Sequence, residues 1–221
     1  FKPVKIADNF INTGNPTLVF GEFDSQTDDS SDFSQLRSRK KLKLNDSFTI
    51  FVLGGSQGSV PINSHFLENY KIYKQMGIQL IWQCGQNNIS KIKTTINDDM
   101  VHLYGFIDPS EMPYYYNASN LVISRSGALT LSELAKFNIP SILIPFPYSA
   151  NNHQLYNARF FESNESAQIV EQNLLDTGLL EKKVKEIMKD RKTIDRMKNK
   201  IKKIAKPNAA EMIASEILKA C

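Results

Sequence analysis

Phe48-Thr49-Ile50-Phe51-Val52-Leu53-Gly54-Gly55-Ser56-Gln57-Gly58 decides the fold. Its first six residues are β-branched, aromatic or leucine and too few for a helix, so they predict a strand. Glycines end the run, and residues 61–75 are long enough for a helix. The same unit returns along the chain. Strand-length apolar runs fall at Ile78–Gln83, 101–106, Leu121–Ser124, 139–145 and 167–170, with helix-length stretches at 90–96, 110–117, 130–137 and 152–163 between them. Strand and helix alternating at this spacing predict β-α-β units, an α/β fold with a doubly wound parallel sheet and helices on both faces.

On the N-terminal side, Thr13-Gly14-Asn15-Pro16 signals a turn. Residues 21–35 hold Glu22, Asp24, Asp28, Asp29 and Asp32 with no basic residue, which predicts a mobile loop. The basic stretch 37–44 predicts one or two helical turns. After residue 173 the chain is expected to be helical. Val184, Ile187, Met188, Ile194, Met197, Ile201 and Ile204 fall largely at three- and four-residue spacings and form one apolar stripe. Pro207 breaks that pattern, and Asn208 is placed to cap a last helix. The expected organisation is a linker over 1–47, a domain over 48–180 and a helical extension over 181–221.

A length of 221 residues allows one large domain or two small ones. At 41% hydrophobic and 23% charged the chain has the composition of a soluble globular protein. No apolar run approaches the ~20 residues of a membrane span, and no signal-peptide pattern is visible. Two cysteines exclude a disulfide framework and a four-cysteine zinc site. Cys84 reads as an inert core thiol and Cys221 as exposed, which implies a reducing, cytoplasmic compartment. His65, His102 and His153 lack metal-ligand spacing, so neither a metal nor a cofactor is expected. The net charge of +4 conceals an asymmetry: residues 181–206 hold twelve Lys/Arg and four Asp/Glu. Because the excess lies in one segment, nucleic-acid binding is not implied. The segment is either a solvated helix face or one that favours anionic lipid or a partner.

In a wound sheet, ligands bind where strands end and helices begin. Gly54-Gly55-Ser56-Gln57-Gly58 is either a plain tight turn or a phosphate-approaching one. It matches neither the dinucleotide nor the P-loop pattern. Gly105-Phe106-Ile107-Asp108 is either a plain turn or a loop that reads a flat base with backbone groups. Ser124-Arg125-Ser126-Gly127-Ala128-Leu129-Thr130-Leu131-Ser132-Glu133 opens a helix whose first N–H groups can hold a diphosphate. Glu133, one turn inside, can accept hydrogen bonds from both hydroxyls of a ribose. The alternative is a capping box between Thr130 and Glu133. Gln154 and Asn157 share a helix face and carry amides suited to sugar hydroxyls. The alternative is capping by Asn151 or Asn152 with surface amides. Tyr114-Tyr115-Tyr116 reads as packing.

Taken together, Thr13-Gly14-Asn15-Pro16, Gly54-Gly55-Ser56-Gln57-Gly58, Gly105-Phe106-Ile107, the 124–133 stretch and His153-Gln154 with Asn157-Ala158 resemble the MurG family. These are bacterial transferases that add N-acetylglucosamine to lipid I to make lipid II for peptidoglycan. The resemblance runs from about residue 10 to the C-terminus. It implies two Rossmann-like domains facing across a cleft, the GT-B arrangement, of which this chain is similar to the C-terminal, donor-binding half. It implies substrate-binding roles for Ser56 at the nucleotide, Ile107 at uracil and Ala128, Leu129 and Thr130 at the diphosphate. Glu133 would hold the ribose hydroxyls, Leu131 and Ser132 in the same stretch would be substrate-binding, Gln154 and Asn157 would lie at the sugar, and Arg125 beside the nucleotide loop. One position departs: the family places an arginine two residues after the linker proline, where Leu18 stands here. A leucine cannot supply that charge-assisted hydrogen bond.

The implied reaction is inverting transfer from UDP-N-acetylglucosamine with no metal. The general base and the lipid I contacts belong to the family's N-terminal domain, so no catalytic residue is expected on this chain. The Phe1 start is then expected to mark a cut through a two-domain enzyme. The resemblance also implies a cytoplasmic, peripheral location on the bacterial inner membrane, whose anionic surface becomes a candidate partner. The alternative is a stand-alone nucleotide-sugar-binding subunit completed by a membrane-bound chain. A UDP-sugar epimerase shares the fold, but the expected catalytic carboxylates and histidines find no support in these residues.

Overall fold

The computed structural model describes residues 11–17, 30–55 and 57–220, the side chains of 30–34 and 220 excepted. The expectations at Leu18, over 21–29, at Ser56 and at Cys221 lie outside the described residues. Among the described residues six strands form one sheet: β1 Phe48–Leu53, β2 Ile78–Gln83, β3 Val101–Tyr104, β4 Leu121–Ser124, β5 Ser141–Leu143 and β6 Ala167–Ile169. Their order is 3-2-1-4-5-6 and every pairing is parallel. Covered on both faces, β1, β2 and β4 read as nearly continuous apolar runs. The strands called at 101–106, 139–145 and 167–170 are shorter in the structure, because pairing stops before the apolar run does.

The helices are α1 Ser30–Lys41, α2 Val60–Gln75, α3 Ile89–Thr95, α4 Met112–Ala118, α5 Ala128–Lys136, α6 His153–Ser163, α7 Leu179–Lys189, α8 Arg191–Ile204 and α9 Ala209–Ala220. One face of the sheet buries Ile50, Val52, Leu80 and Trp82 against Ile62 and Phe66 of α2 and Leu180, Val184 and Ile187 of α7. The other buries Phe51, Leu53 and Val122 against Tyr115 and Tyr116 of α4, Leu131 and Leu134 of α5, and Ala158 and Phe161 of α6. The apolar stripe after residue 180 is part of both layers, with Met197 of α8 in the first and Ile201 in the second. The boundary expected at 180/181 falls inside α7.

The loop expected over 21–35 is helical from Ser30, and the helix expected in 37–44 is three turns long. Tertiary anchors account for this. Arg39 donates to Ala118 O at 3.2 Å and to Asn120 Oδ1 at 2.7 Å, at the amino edge of the sheet. Lys41 pairs with Glu111, the residue before α4, at 2.8 Å. Packing rather than propensity holds most protein helices, so a polar helix forms where its neighbours fix it.

Candidate functional site

In this strand order the direction of winding reverses between β1 and β4. The crevice beyond their carboxyl ends is where such sheets bind ligands. Two helix N-termini face it, those of α2 and α5. They are built differently.

The turn before α2 is held by contact with the loop after β2. Gly58 has φ +76°, and a Cβ there would sit 2.1 Å from Cys84 O. At Gly85 a Cβ would sit 2.4 Å from Gln57 O. Only glycine satisfies both backbones, as the tight-turn reading requires. The second residue of α2 is Pro61, which has no N–H, so its first turn offers fewer donors. Val60 at its head is exposed.

The turn before α5 is open. Gly127 is the residue before the helix, at φ −67° and ψ 147°, an ordinary extended conformation. A Cβ there would meet nothing within 4 Å. Neither backbone strain nor internal packing asks for glycine. The first hydrogen bond of the helix runs from Leu131 N to Gly127 O at 3.0 Å. The N–H groups of Ala128, Leu129 and Thr130 therefore have no acceptor among the described residues, the usual condition of a first turn. Ala128 and Leu129 are exposed.

The capping-box alternative fails. With α5 starting at Ala128, Thr130 is its third residue and no side chain caps the helix. Glu133 Oε2 instead accepts from Tyr116 Oη at 2.7 Å. Burial pushes the Glu133 carboxyl above the usual carboxylate range, while the Tyr116 bond and the charge of Lys136 oppose the rise. Burial beside that carboxylate also keeps Tyr116 protonated. Leu131 points into the core, and Ser132 Oγ donates back to Ala128 O at 2.9 Å.

Arg125 is the junction of the carboxyl-edge loops. Its Nη1 donates to Ile144 O at 3.1 Å and Pro145 O at 3.2 Å, and its Nη2 to Ser59 Oγ at 2.8 Å and Gln172 Oε1 at 2.6 Å. Its guanidinium lies 5.4 Å from the Phe146 ring. Burial lowers the Arg125 pKa to about 10, so the side chain stays charged at neutral pH. One cation thus ties the ends of β1, β4 and β5 to the turn at Gln172–Thr177.

The first two turns of α6 are tied to the same place. Asn157 Nδ2 donates to Ser126 O at 3.1 Å, and Ser126 Oγ donates to Gln154 O at 2.7 Å. Gln154 Oε1 accepts from Phe146 N at 3.1 Å, which aims its amide at the loop after β5. Neither Asn151 nor Asn152 caps α6 with its side chain. Both hold left-handed backbone, at φ 49° and 54°. Ile107 is buried, 4% exposed, and its backbone N–H and C=O bond no described residue. Phe106 beside it is exposed.

Two cavities lie off this edge. One of about 190 Å³ separates Asn15, Pro16 and Thr17 from Ser132 and Lys136 of α5 and from the α8–α9 joint. The other, about 180 Å³, opens beside Glu181 on the opposite layer. Neither cavity is lined by Arg125, Gly127, Ala128, Gln154 or Asn157. Among the described residues no group of acidic, histidine or cysteine side chains is arranged to hold a metal ion. No described helix is long and apolar enough to cross a membrane.

The sequence placed Arg125, the 128–133 stretch, Gln154 and Asn157 around one site, and the structure brings them together. It did not reveal Tyr116, Ser59, Ser126 or Gln172 as partners. The one available signal was a tyrosine, rather than phenylalanine, on the buried face of a short helix, since a buried hydroxyl needs a partner.

Residues 49–213 match the sequence pattern of the glycosyltransferase family 28 C-terminal domain. The chain is 37% identical over 187 residues to the UDP-N-acetylglucosamine–N-acetylmuramyl-(pentapeptide) pyrophosphoryl-undecaprenol N-acetylglucosamine transferase of Campylobacter fetus. That match covers 85% of this chain and 53% of the relative. The enzyme of the same name from Flavobacterium psychrophilum is 34% identical over 216 residues, 96% of this chain and 55% of the relative. Among solved structures, Acinetobacter baumannii MurG superimposes with a TM-score of 0.70 at 25% identity, over 84% of this chain and 53% of that one. The chain spans about half the length of the curated relatives it matches.

Proposed function

The chain belongs to glycosyltransferase family 28, as its C-terminal domain, and we propose that it is the donor-binding half of an inverting N-acetylglucosaminyltransferase acting on a lipid-linked acceptor. The observation that carries this reading is the α5 N-terminus. It joins three N–H groups with no acceptor among the described residues, a glycine whose missing side chain leaves open space, and a carboxylate one turn further on. Open space over Gly127 lets a diphosphate approach the N–H groups of Ala128, Leu129 and Thr130, and the helix dipole favours its charge. When the bond to the sugar breaks, the negative charge grows on that diphosphate. Donors already pointing there stabilise the leaving group without reorganising.

The other assignments follow outward from the diphosphate. Glu133 accepts the ribose hydroxyls, and the backbone of Ile107 meets uracil. Gln154 and Asn157 face the sugar from the first two turns of α6. Leu131, Ser132 and Arg125 act by holding the site in shape. Ser56, four residues before α2 in the sequence, completes the nucleotide contacts.

The named relatives use UDP-N-acetylglucosamine and a pyrophosphoryl-undecaprenol acceptor. Their acceptor carries a long isoprenoid chain, so we place the working protein at a membrane surface, held peripherally. The exposed cations of α7 and α8 are suited to anionic headgroups there. Acceptor binding and the base that deprotonates its hydroxyl fall to the other half of the two-domain enzyme. This chain alone is therefore expected to bind donor without turning it over. Lipid II formation by the isolated chain would overturn that.

Titration calorimetry tests the donor reading. UDP is expected to bind and AMP not to, and Glu133→Ala is expected to weaken UDP by at least about tenfold, the worth of a hydrogen-bonded charged group. Unchanged UDP affinity in Glu133→Ala would remove the ribose assignment.

A further inference from the structure

Glu133 is held by a residue that touches no part of the expected ligand. Tyr116 is completely buried in α4, seventeen residues away in sequence. Its ring stacks on Phe137 with centroids 5.2 Å apart and meets Phe51 edge-on at 5.7 Å. Phe137 is the residue just after α5, one turn beyond Glu133, so the same contact fixes the helix and the ring. A ring clamped in this way places its hydroxyl at one point. The terminal torsion of a glutamate is broad and roughly two-fold, so an anchor on one oxygen selects the direction of the other.

Oε2 carries the Tyr116 bond at 2.7 Å. Oε1 has no hydrogen-bond partner among the described residues, and the Glu133 side chain is only partly buried. We propose that Tyr116 is a positioning residue for Glu133, its hydroxyl anchoring Oε2 so that Oε1 is presented to the ribose hydroxyls of the nucleotide. This rests on the ribose reading of Glu133 given above. The bond has a second effect. A short hydroxyl-to-carboxylate bond favours the ionised form, the form that accepts from ribose, against the burial that disfavours it.

The test compares UDP with 2′,3′-dideoxy-UDP, which lacks both ribose hydroxyls, by calorimetry between pH 5 and 8 on the whole chain. The diphosphate titrates in both ligands and all variants, so it cancels. Tyr116→Phe is expected to weaken UDP about tenfold, to leave dideoxy-UDP unchanged, and to move the acid limb of UDP binding to higher pH. An equal loss for both nucleotides, an unmoved acid limb or no loss at all would overturn the proposal. If Tyr116→Phe does not melt cooperatively, 3-fluorotyrosine at position 116 replaces it. That ring is conserved and its hydroxyl a stronger donor, so the limb is expected to move to lower pH, and a fixed limb counts against the role. Glu133→Gln separates the two ideas. If it spares UDP, the ribose reading fails. If it abolishes the preference for UDP over dideoxy-UDP while Tyr116→Phe preserves it, only the role of Tyr116 fails.

Discussion

The turn after β1 and the turn after β4 face each other across the crevice, and both carry glycine before a helix. In the first, Gly58 is demanded by the fold: its φ is positive and Cys84 O occupies the space of a side chain. In the second, Gly127 has an ordinary backbone and open space where a side chain would go. The first turn is filled from within by the loop after β2, and Pro61 removes a donor from its helix. The second keeps three N–H groups without an acceptor among the described residues, two of them on the exposed Ala128 and Leu129. A glycine-rich turn is therefore no sign of a ligand until its glycine has been shown to lack an internal reason. By that standard the β4–α5 turn is the stronger candidate for a phosphate contact.

The largest expected effect comes from cutting the link between the two turns. Arg125→Ala leaves Ser59, Gln172 and two carbonyls without their donor. At about 1–3 kcal/mol for each unsatisfied buried group, the loss should reach ~4 kcal/mol, read as a lowered Tm, with UDP affinity lost as well. An unchanged melt would mean that the loops hold without it.

Paired alanine substitutions test the comparison directly. Gly58→Ala should cost ~3 kcal/mol, from left-handed backbone and the clash with Cys84 O, and lower Tm by roughly 6–12 °C. Gly127→Ala should leave Tm within about a degree and weaken UDP about tenfold, since its methyl group enters ligand space. The reverse pattern would exchange the roles assigned to the two turns.

The smallest effect is electrostatic. Burial raises the Glu133 pKa, so the folded chain binds a proton that the unfolded chain releases more readily. Stability from this group is present at low pH and falls as pH rises through the folded-state pKa. Glu133→Gln removes that penalty. At neutral pH it is expected to melt at or above the wild-type temperature while binding UDP more weakly, as thermal melts and calorimetry on one preparation would show. A lower Tm would mean that the charge stabilises the site.

Most of the sheet was legible in the sequence. β1, β2 and β4 were placed to the residue, because long apolar runs between glycine or polar breaks carry a strong local signal. The ends of β3, β5 and β6 were not, since pairing with a neighbour stops a strand and the neighbour is distant in sequence. α1 was read short because its own residues are polar, and Arg39 and Lys41 stabilise it through Asn120 and Glu111. The spacing of Thr130 and Glu133 suggested a cap. The carboxylate accepts instead from the Tyr116 hydroxyl, which packing brings to 2.7 Å.

What the sequence determined by itself was the alternation of strand and helix and the set of loops at the carboxyl edge. Hydrophobic periodicity and turn chemistry act over a few residues and survive without context. Which backbone donors stay unpaired, which glycine faces open space, and that Arg125 reaches Ser59 and Gln172 were decided only by the tertiary structure. Those partners lie 66 and 47 residues away along the chain. The 3-2-1-4-5-6 strand order brings them together, and no local pattern encodes that order.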